Sequence, residues 1–355
     1  MSDRFWRHRL IPGWNQQRLQ TANVIIAGVG ALGSYVAETL ALAGVGRLIL
    51  CDPDIVGESN LSRAPLFRPS DVGRPKVVAG ARALAALVPS ISVDARYQTF
   101  EHAVGLGELS HASLVLSLTD NRASRLAIAG RCGLVGRRVI DAGTSEWGGE
   151  VRPFLDTDGP CFGCTLSDTE RGETDVSWSC MDQREREPVG SSAVTTGLVG
   201  SFAAMAAVRA LLGLVVATAT LVIDGATGSV HQTAIARDPS CPLHEAISDT
   251  VPVALGNEGT VGDLTGLLPA GATPLLWQPV ERRSICPACQ WRGAGTWRLP
   301  ARRPCPSCGA SLRIETTLEL DGTPAATPLW MLGVPPREIL PVRLRTGAIL
   351  CVELH

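Results

Sequence analysis

The sequence predicts an α/β protein whose main body is a Rossmann-like, doubly wound, mostly parallel sheet with helices on both faces, followed by a small C-terminal β module. Three observations predict it. Short apolar, β-branched runs alternate with helically spaced segments through the first half of the chain, the pattern of a parallel sheet. The glycine-rich turn "GVGALG" sits between the first such strand and the first long helix. Two CxxC pairs, "CPAC" and "CPSC", lie 15 residues apart near the C-terminus. With 355 residues, the chain suggests about two domains.

The elements follow in order. Residues 4–20 read as a helical lead-in, and "VIIAG" (24–28) as a buried strand. "ALGSYVAETLALAGVG" has helical apolar spacing and ends on glycines. "RLILCD" is a second strand. "KVVAGARALAALVP" is a helix stopped at Pro89, and "ISVDARY" a third strand. "ASLVLSLTD" is a fully buried strand, with a helix from about Asn121. "RRVIDAG" and "GEVRPFL" are further strands. A polar crossover stretch occupies about 165–190. A long apolar helix follows, then "TLVIDG" and "SVHQTAIA" as a strand pair. The expected division is 1–244 for the sheet domain, 245–282 as a Gly- and Pro-rich linker, and 283–355 for the cysteine module. Its tail, "GVPPREILPVRL" and "GAILCVEL", reads as short strands around a Pro-Pro turn. No internal repeat is visible.

Composition narrows the function classes. The apolar fraction of 45% provides for a large core, and the net charge of −2 with a pI near 6.3 gives no reason to expect nucleic acid or a membrane surface as partner. The N-terminus lacks an apolar signal core, so a cytoplasmic location is expected. Residues Val189 to Val208 carry no charge and are long enough to span a bilayer. Their Ser, Thr, Gly and Ala content and the following Arg209 read instead as a helix buried in the core or at a dimer interface.

Gly28, Gly30 and Gly33 form G-x-G-x-x-G between strand and helix. Glycine allows a tight turn and close approach of the backbone to phosphate, and the helix N-terminus supplies amide donors. The motif predicts a nucleotide without naming it. Asp52 ends the next strand, where an acid binds ribose hydroxyls; NAD and ATP both satisfy that. The loop after it discriminates. It carries Asp54, Asn60 and Arg63, and "FRPSDVGRPK" brings it to Lys76. A dehydrogenase needs neither the amide nor the cations there. An enzyme that lets a carboxylate attack the α-phosphorus of ATP needs them to offset charge developing on the triphosphate. Asp120 ends another parallel strand, on the edge where ligands bind, and can hold Mg²⁺ through oxygen.

Six of the 11 cysteines form three CxxC pairs, read as metal ligands in a reducing compartment. Cys286, Cys289, Cys305 and Cys308 have the spacing of a four-cysteine zinc ribbon, which makes the C-terminal part a zinc-ribbon/β module. Trp291, Trp297 and Arg302–Arg303 on it are candidates for contact with a partner, although a ribbon can equally serve only to fold a module too small for its own core. Cys161 and Cys164 supply two ligands; Cys241 and His244, at matching x₂ spacing, are the expected other two of a structural zinc. Cys51, Cys132 and Cys351 lie in apolar runs and read as core.

The run "RFWRHRLIPGW…VIIAGVGALGSYVAETLALAGVGRLILCDPDIVGESNLSRAPLFRPSDVGRPK" closely resembles the ThiF/MoeB/HesA superfamily, bacterial relatives of the ubiquitin-activating enzymes, over about residues 4–244. The resemblance implies an ATP-binding domain that adenylates the C-terminal carboxylate of a ubiquitin-like or sulfur-carrier protein, or of a peptide, releasing pyrophosphate. It implies that Gly28, Gly30 and Gly33 make the phosphate turn, Asp52 binds ribose, Asn60, Arg63 and Lys76 contact phosphates and assist adenylation, and Asp120 holds Mg²⁺. Arg7 matches an arginine that reaches the nucleotide of a partner subunit, which implies a homodimer. The core adenylation positions show no departure. His244 does depart, because the family closes its metal site with cysteines. Some relatives pass the acyl group to a loop cysteine, a role Cys180 would take, with Arg184 and Arg186 to lower its pKa. Others adenylate only. Two alternatives stay open: adenylation of a tRNA-borne carboxylate with cyclisation, and a non-catalytic nucleotide-binding scaffold. No rhodanese-like domain is evident.

Overall fold

The computed structural model describes residues 4–172, 190–296 and 303–355, which form two compact units. The first holds 4–103, 109–172 and 190–246; the second holds 104–108, 247–296 and 303–355.

The first unit is an eight-stranded sheet flanked by helices. Its strands are β1 (Asn23–Ala27), β2 (Arg47–Cys51), β3 (Ser92–Arg96), β4 (Leu114–Ser117), β5 (Val139–Thr144), β6 (Gly148–Phe154), β7 (Thr220–Asp224) and β8 (Ser229–Thr233). They lie in the order β3-β2-β1-β4-β5-β6-β7-β8. β1 to β5 are parallel; β6, β7 and β8 join antiparallel. The chain order reverses between β1 and β4, so the crevice for a ligand opens at their carboxyl ends. The central strands read as unbroken apolar runs because both faces are covered: Val24, Ile25, Ile26, Leu48, Ile49 and Leu50 are fully buried. Each such side chain contributes roughly 1.5–3 kcal/mol relative to exposure.

Local sequence sets the ends of the helices. Ala31–Ala43 stops at Gly44, whose φ of 89° closes the helix in a left-handed turn. The lead-in is not one helix. Pro12 and Gly13 split it into a 3₁₀ turn, His8–Leu10, and a short helix, Gln16–Gln20, capped by Asn15. The long apolar helix runs Ala193–Leu212, four residues later than expected, because Ser192 caps it by accepting the Thr195 N–H. It is long and apolar enough to cross a membrane by length and composition alone, and half of its most apolar stretch is buried. Val199, Ala203, Ala204 and Ala207 lie in the main core, and Gly200 lets the Tyr35 ring of helix Ala31–Ala43 pack against its backbone.

The second unit corrects one expectation. Residues 245–282 are not an unstructured linker: they carry β9 (Val251–Val253), a helix (Val261–Leu267) and most of β10 (Thr273–Ile285). Thr260 and Asp263 form a reciprocal capping box that starts the helix. Val253, Val261, Leu264, Leu276 and Val280 bury into a separate core. Of the residues that suggested a linker, Gly256, Gly259, Pro269 and Gly271 lie between these elements, while Pro252, Pro274 and Pro279 sit within strands and Gly262 and Gly266 within the helix. With β11 (Arg292–Ala294), β12 (Arg313–Glu319), β13 (Ile339–Arg343) and β14 (Ile349–Leu354), the strands run β11-β10-β13-β14-β9, and β12 also pairs with β10.

Candidate active site and metal centres

The glycine turn is built by three glycines with three different jobs. Gly28 has φ of 90°, and a Cβ there would sit 2.6 Å from the Leu118 carbonyl oxygen at the end of β4. A Cβ on Gly33 would strike the Gly28 carbonyl at 1.9 Å, so Gly33 lets the helix close on the turn. Gly30 occupies the helix N-cap, and a Cβ there would meet nothing within 4 Å. That open cradle lies at a helix N-terminus, the arrangement that receives phosphate.

Asp52 fixes the turn from below. Its Oδ2 accepts the Val29 N–H at 2.7 Å and its Oδ1 accepts the Asp54 N–H at 2.8 Å. Burial pushes its pKa above the ordinary carboxylate value; Lys76 and the two amides oppose the rise without cancelling it. Lys76 donates to Asp54 Oδ2 at 2.7 Å and stands 3.9 Å from Asp52 Oδ1. The Lys76 N–H also donates to the Asp54 carbonyl. The structure therefore brings together Gly28, Asp52, Asp54 and Lys76 as one cluster of polar groups.

Asn60 and Arg63 sit on the intervening loop. Asn60 Oδ1 accepts the Gly57 N–H at 2.9 Å and shapes the 3₁₀ turn Glu58–Asn60. Arg63 is half-buried and donates to the Ser59 carbonyl at 2.8 Å. Arg7 stands apart in the lead-in, its guanidinium 5.1 Å above the Trp6 ring. Asp120 is exposed just beyond β4, while Asn121 caps the helix Arg122–Leu134 by accepting the Ser124 N–H. The segment leading to Asp120 lies directly against Gly28, through Leu118 and Thr119.

Sequence reasoning missed a network beneath Asp120. Arg125 donates to the Thr119 carbonyl through Nε and Nη2, to the Ala142 carbonyl, and to Asp141 at 2.7 Å. Asp141, 1% exposed, also accepts from Arg152 at 2.9 Å and from the Ser117 hydroxyl at 2.9 Å. The signal was present: an aspartate inside the apolar run "RRVIDAG", and an arginine one helical turn after the Asn121 cap. A cavity of about 370 Å³ opens here, lined by Asp120, Arg122, Arg125, Gly143, Gly149 and Arg152 among others.

Two sulfur-rich clusters meet the geometry of a metal site. Cys161, Cys164, Cys241 and His244 place their ligand atoms within 4.8 Å of one another, as do Cys286, Cys289, Cys305 and Cys308. In the first, Cys164 Sγ lies 3.1 Å from His244 Nε2, and Cys161 Sγ lies 3.8 Å from Cys241 Sγ. Gly163 is required there, since a Cβ would lie 2.9 Å from Cys241 Sγ. The Asp238 N–H donates to Cys164 Sγ, and Arg171 holds Asp238 at 2.7 Å, an outer shell that orients the sulfur. Burial, reinforced by Arg237, holds the His244 pKa below the usual imidazole value, which favours the neutral form a metal ligand needs. In the second cluster, the residue after each CxxC is left-handed: Gly309 at φ 76° and Gln290 at φ 62°. Backbone N–H groups of Cys289 and Ser307 point at Cys286 and Cys305 sulfur. Cys51 and Cys132 are buried, and Cys351 is half-buried. Cys180 lies outside the described residues, as do Arg184, Arg186, Trp297 and Arg302.

A glycine turn at a switch point, a buried aspartate and a lysine set between two aspartates mark the chain as an α/β protein of the nucleotide-binding class. The model of the ThiF family matches residues 4–243, and the chain belongs to that family. It is an ATP-dependent adenylyltransferase. The chain is similar to the sulfur carrier protein ThiS adenylyltransferase of Escherichia coli K12, 30% identical over 230 residues, 64% of this chain and 88% of the relative. It is also similar to the molybdopterin-synthase adenylyltransferase of the same organism, 29% identical over 246 residues, 68% of this chain and 95% of the relative. Among solved structures, E. coli MccB with MccA-N7isoASN shares the fold, with a TM-score of 0.57 at 20% identity, covering 69% of this chain and 76% of that one.

Proposed function

We propose that this enzyme activates the C-terminal carboxylate of a ubiquitin-like sulfur-carrier protein or of a peptide as an acyl-adenylate. The observation that carries the reading is one junction: the Gly28 turn, joined by Asp52 to Lys76 on one side, packs on Leu118–Thr119, which lead to Asp120 at the mouth of the cavity. Nucleotide and carboxylate would meet there. A carboxylate oxygen attacks the α-phosphorus, the bond to the β-phosphate breaks, and pyrophosphate leaves with the electron pair. Gly28, Gly30 and Gly33 cradle phosphate, and Asp52 takes the ribose hydroxyls, with Asp54 holding Lys76 in place. Lys76, Arg63 and Asn60 offset charge on the departing pyrophosphate. Asp120 is the oxygen ligand for Mg²⁺, which would neutralise phosphate charge when bound.

Both four-ligand clusters fit structural Zn²⁺, the first as Cys₃His and the second as Cys₄. Arg7 supports a homodimer in which it serves the partner's nucleotide. A cytoplasmic setting suits reduced cysteines. Thioester transfer to Cys180 would follow adenylation and is tested by a reductant-sensitive conjugate lost in Cys180→Ser.

The first experiment is thermal unfolding with Mg·ATP and with NAD. At 100 times its Kd, a ligand adds about 2.7 kcal/mol. Stabilisation by Mg·ATP alone supports the reading, and pyrophosphate exchange with candidate carriers then identifies the substrate. Stabilisation by NAD alone, or by neither, removes it.

A further inference from the structure

The charge of the second unit is not evenly spread. Residues 281–313 hold seven arginines, no lysine and one carboxylate, Glu281; the rest of 247–355 holds three arginines and eight carboxylates. A whole-chain charge of −2 hides this segregation. Glu281 is buried and engaged with Arg303, Ser284 and Thr296, so it does not offset the others.

Strand register then places the remaining cations. Ile285 of β10 pairs with Arg292 of β11 on one side and Arg313 of β12 on the other. Arg283, two residues earlier, pairs with Ala294 and Glu315. Directly paired residues share a face, as do residues two apart on one strand. Arg283, Arg292 and Arg313 therefore stand on one side of the three strands, around Ile285, with Glu315 the one carboxylate among them. All three arginines are exposed. Among the described residues, no hydrogen bond or ion pair engages their side chains. Arg303, by contrast, is consumed in the fold. The two cysteine knuckles hold β10 and β11 in this register, since Cys286 and Cys289 follow β10 directly and the Cys286 N–H bonds to the Trp291 carbonyl.

We infer that this face of the ribbon binds the phosphate backbone of a single-stranded nucleic acid. Three unpaired guanidinium groups are matched to phosphate, which they grip bidentately. Ile285 and Ala294 lie between them on the same face. The face is three strands wide, more than the two-stranded ribbon a duplex major groove admits, so a single strand fits it better. The inference is independent of the adenylation reading.

The test uses the full zinc-loaded chain and fluorescence anisotropy with a labelled oligo(U) 20-mer and, separately, a labelled oligoglutamate peptide. With three phosphate contacts at a salt slope of about 0.7 each, oligo(U) affinity should fall roughly 20-fold between 50 and 200 mM salt. The triple variant Arg283→Glu/Arg292→Glu/Arg313→Glu should bind at least about 10-fold more weakly at 50 mM salt, with a flattened salt dependence. Unchanged zinc content and an unchanged Mg·ATP shift certify its fold; if charge reversal costs zinc, the triple Arg→Gln variant carries the same comparison. Three results would overturn the inference: no oligo(U) binding, equal binding by wild type and variant, or oligoglutamate bound as tightly as oligo(U), which would assign the face to an acidic protein.

Discussion

The Arg125 guanidinium and the Asp141 carboxylate meet at 2.7 Å beneath the carboxyl edge of the sheet, and the same guanidinium grips the Thr119 carbonyl one residue before Asp120. A buried ion pair thus sets the backbone from which the expected metal-binding carboxylate projects. Arg152 shares Asp141 from the other side, and Ser117 donates from β4. The position of Asp120 depends on this triad.

Removing one partner leaves the other charge buried. Arg125→Ala is expected to destabilise the fold by roughly 3–5 kcal/mol in urea unfolding, because Asp141 keeps Arg152 and Ser117 but loses its most buried cation. Arg152→Ala should cost less, since that arginine is more exposed than Arg125 and shares its guanidinium with the half-exposed Glu150. Equal losses for the two variants would contradict the hierarchy.

Asp52 carries a pH signature. Burial raises its pKa, and the ionised form is the one that accepts ribose hydroxyls. ATP affinity should therefore weaken as pH falls through a value above the ordinary carboxylate range. Stability has the opposite sign. A folded pKa above the unfolded one contributes stability that is fully present below the unfolded value and lost as pH rises through the folded value. Wild type compared with Asp52→Asn should thus lose affinity on acidification while gaining relative stability. Titration of a fluorescent ATP analogue between pH 8 and 4.5 reads the first, and denaturant unfolding over the same range reads the second. Affinity flat with pH in wild type would remove Asp52 from the nucleotide site.

The cluster that joins the glycine turn to Asp52, Asp54 and Lys76 was legible in the sequence because it is local. The glycine turn, Asp52 and Lys76 lie within about two strand–helix units, and each sits at an element end that periodicity marks. The Arg125–Asp141–Arg152 triad is as local but was missed, because its signal is one aspartate in an apolar strand whose partner is set by the β5–β6 register that pairs Asp141 with Arg152. The region 245–282 misled for a different reason. Its apolar residues are few per element and its glycines and prolines frequent, so no periodic window stands out, yet Leu264 and Val280 are fully buried. Long-range strand pairing, which has no local sequence signature, supplies the order there. The cysteine clusters were legible from spacing alone, including the histidine at position 244.

Metal content separates the two clusters. Wild type should hold two zinc ions per chain. His244→Ala should lose one and leave the ribbon loaded, while His244→Cys should keep both, because Cys164, Cys161 and Cys241 already surround that position. Cys305→Ser should lose the other. Elemental analysis after dialysis against a mild chelator reads all three, and a wild-type value of one or less would eliminate the two-site assignment.

Lys76 and Arg63 should part company kinetically. Lys76 is largely shielded, held between Asp54 at 2.7 Å and Asp52 at 3.9 Å, so its ammonium is preorganised before substrate arrives. Arg63 is half-buried, and among the described residues its guanidinium is tied only to the Ser59 carbonyl of its own loop, so no carboxylate fixes it before substrate arrives. Preorganised charge gives more rate than charge that has to be gathered, and loss of one such group typically costs 10²–10³ in turnover. Lys76→Ala should therefore lower pyrophosphate exchange by about that factor. It should also lower unliganded stability, because Asp52 and Asp54 would then face each other without their cation. Arg63→Ala should cost at most about 1 kcal/mol of unliganded stability, the worth of one loop hydrogen bond, and lower exchange without abolishing Mg·ATP binding. Exchange measured with each variant beside its ligand-free melting curve separates the roles; a Lys76→Ala enzyme of wild-type turnover would mean that the lysine serves only to bridge the two aspartates.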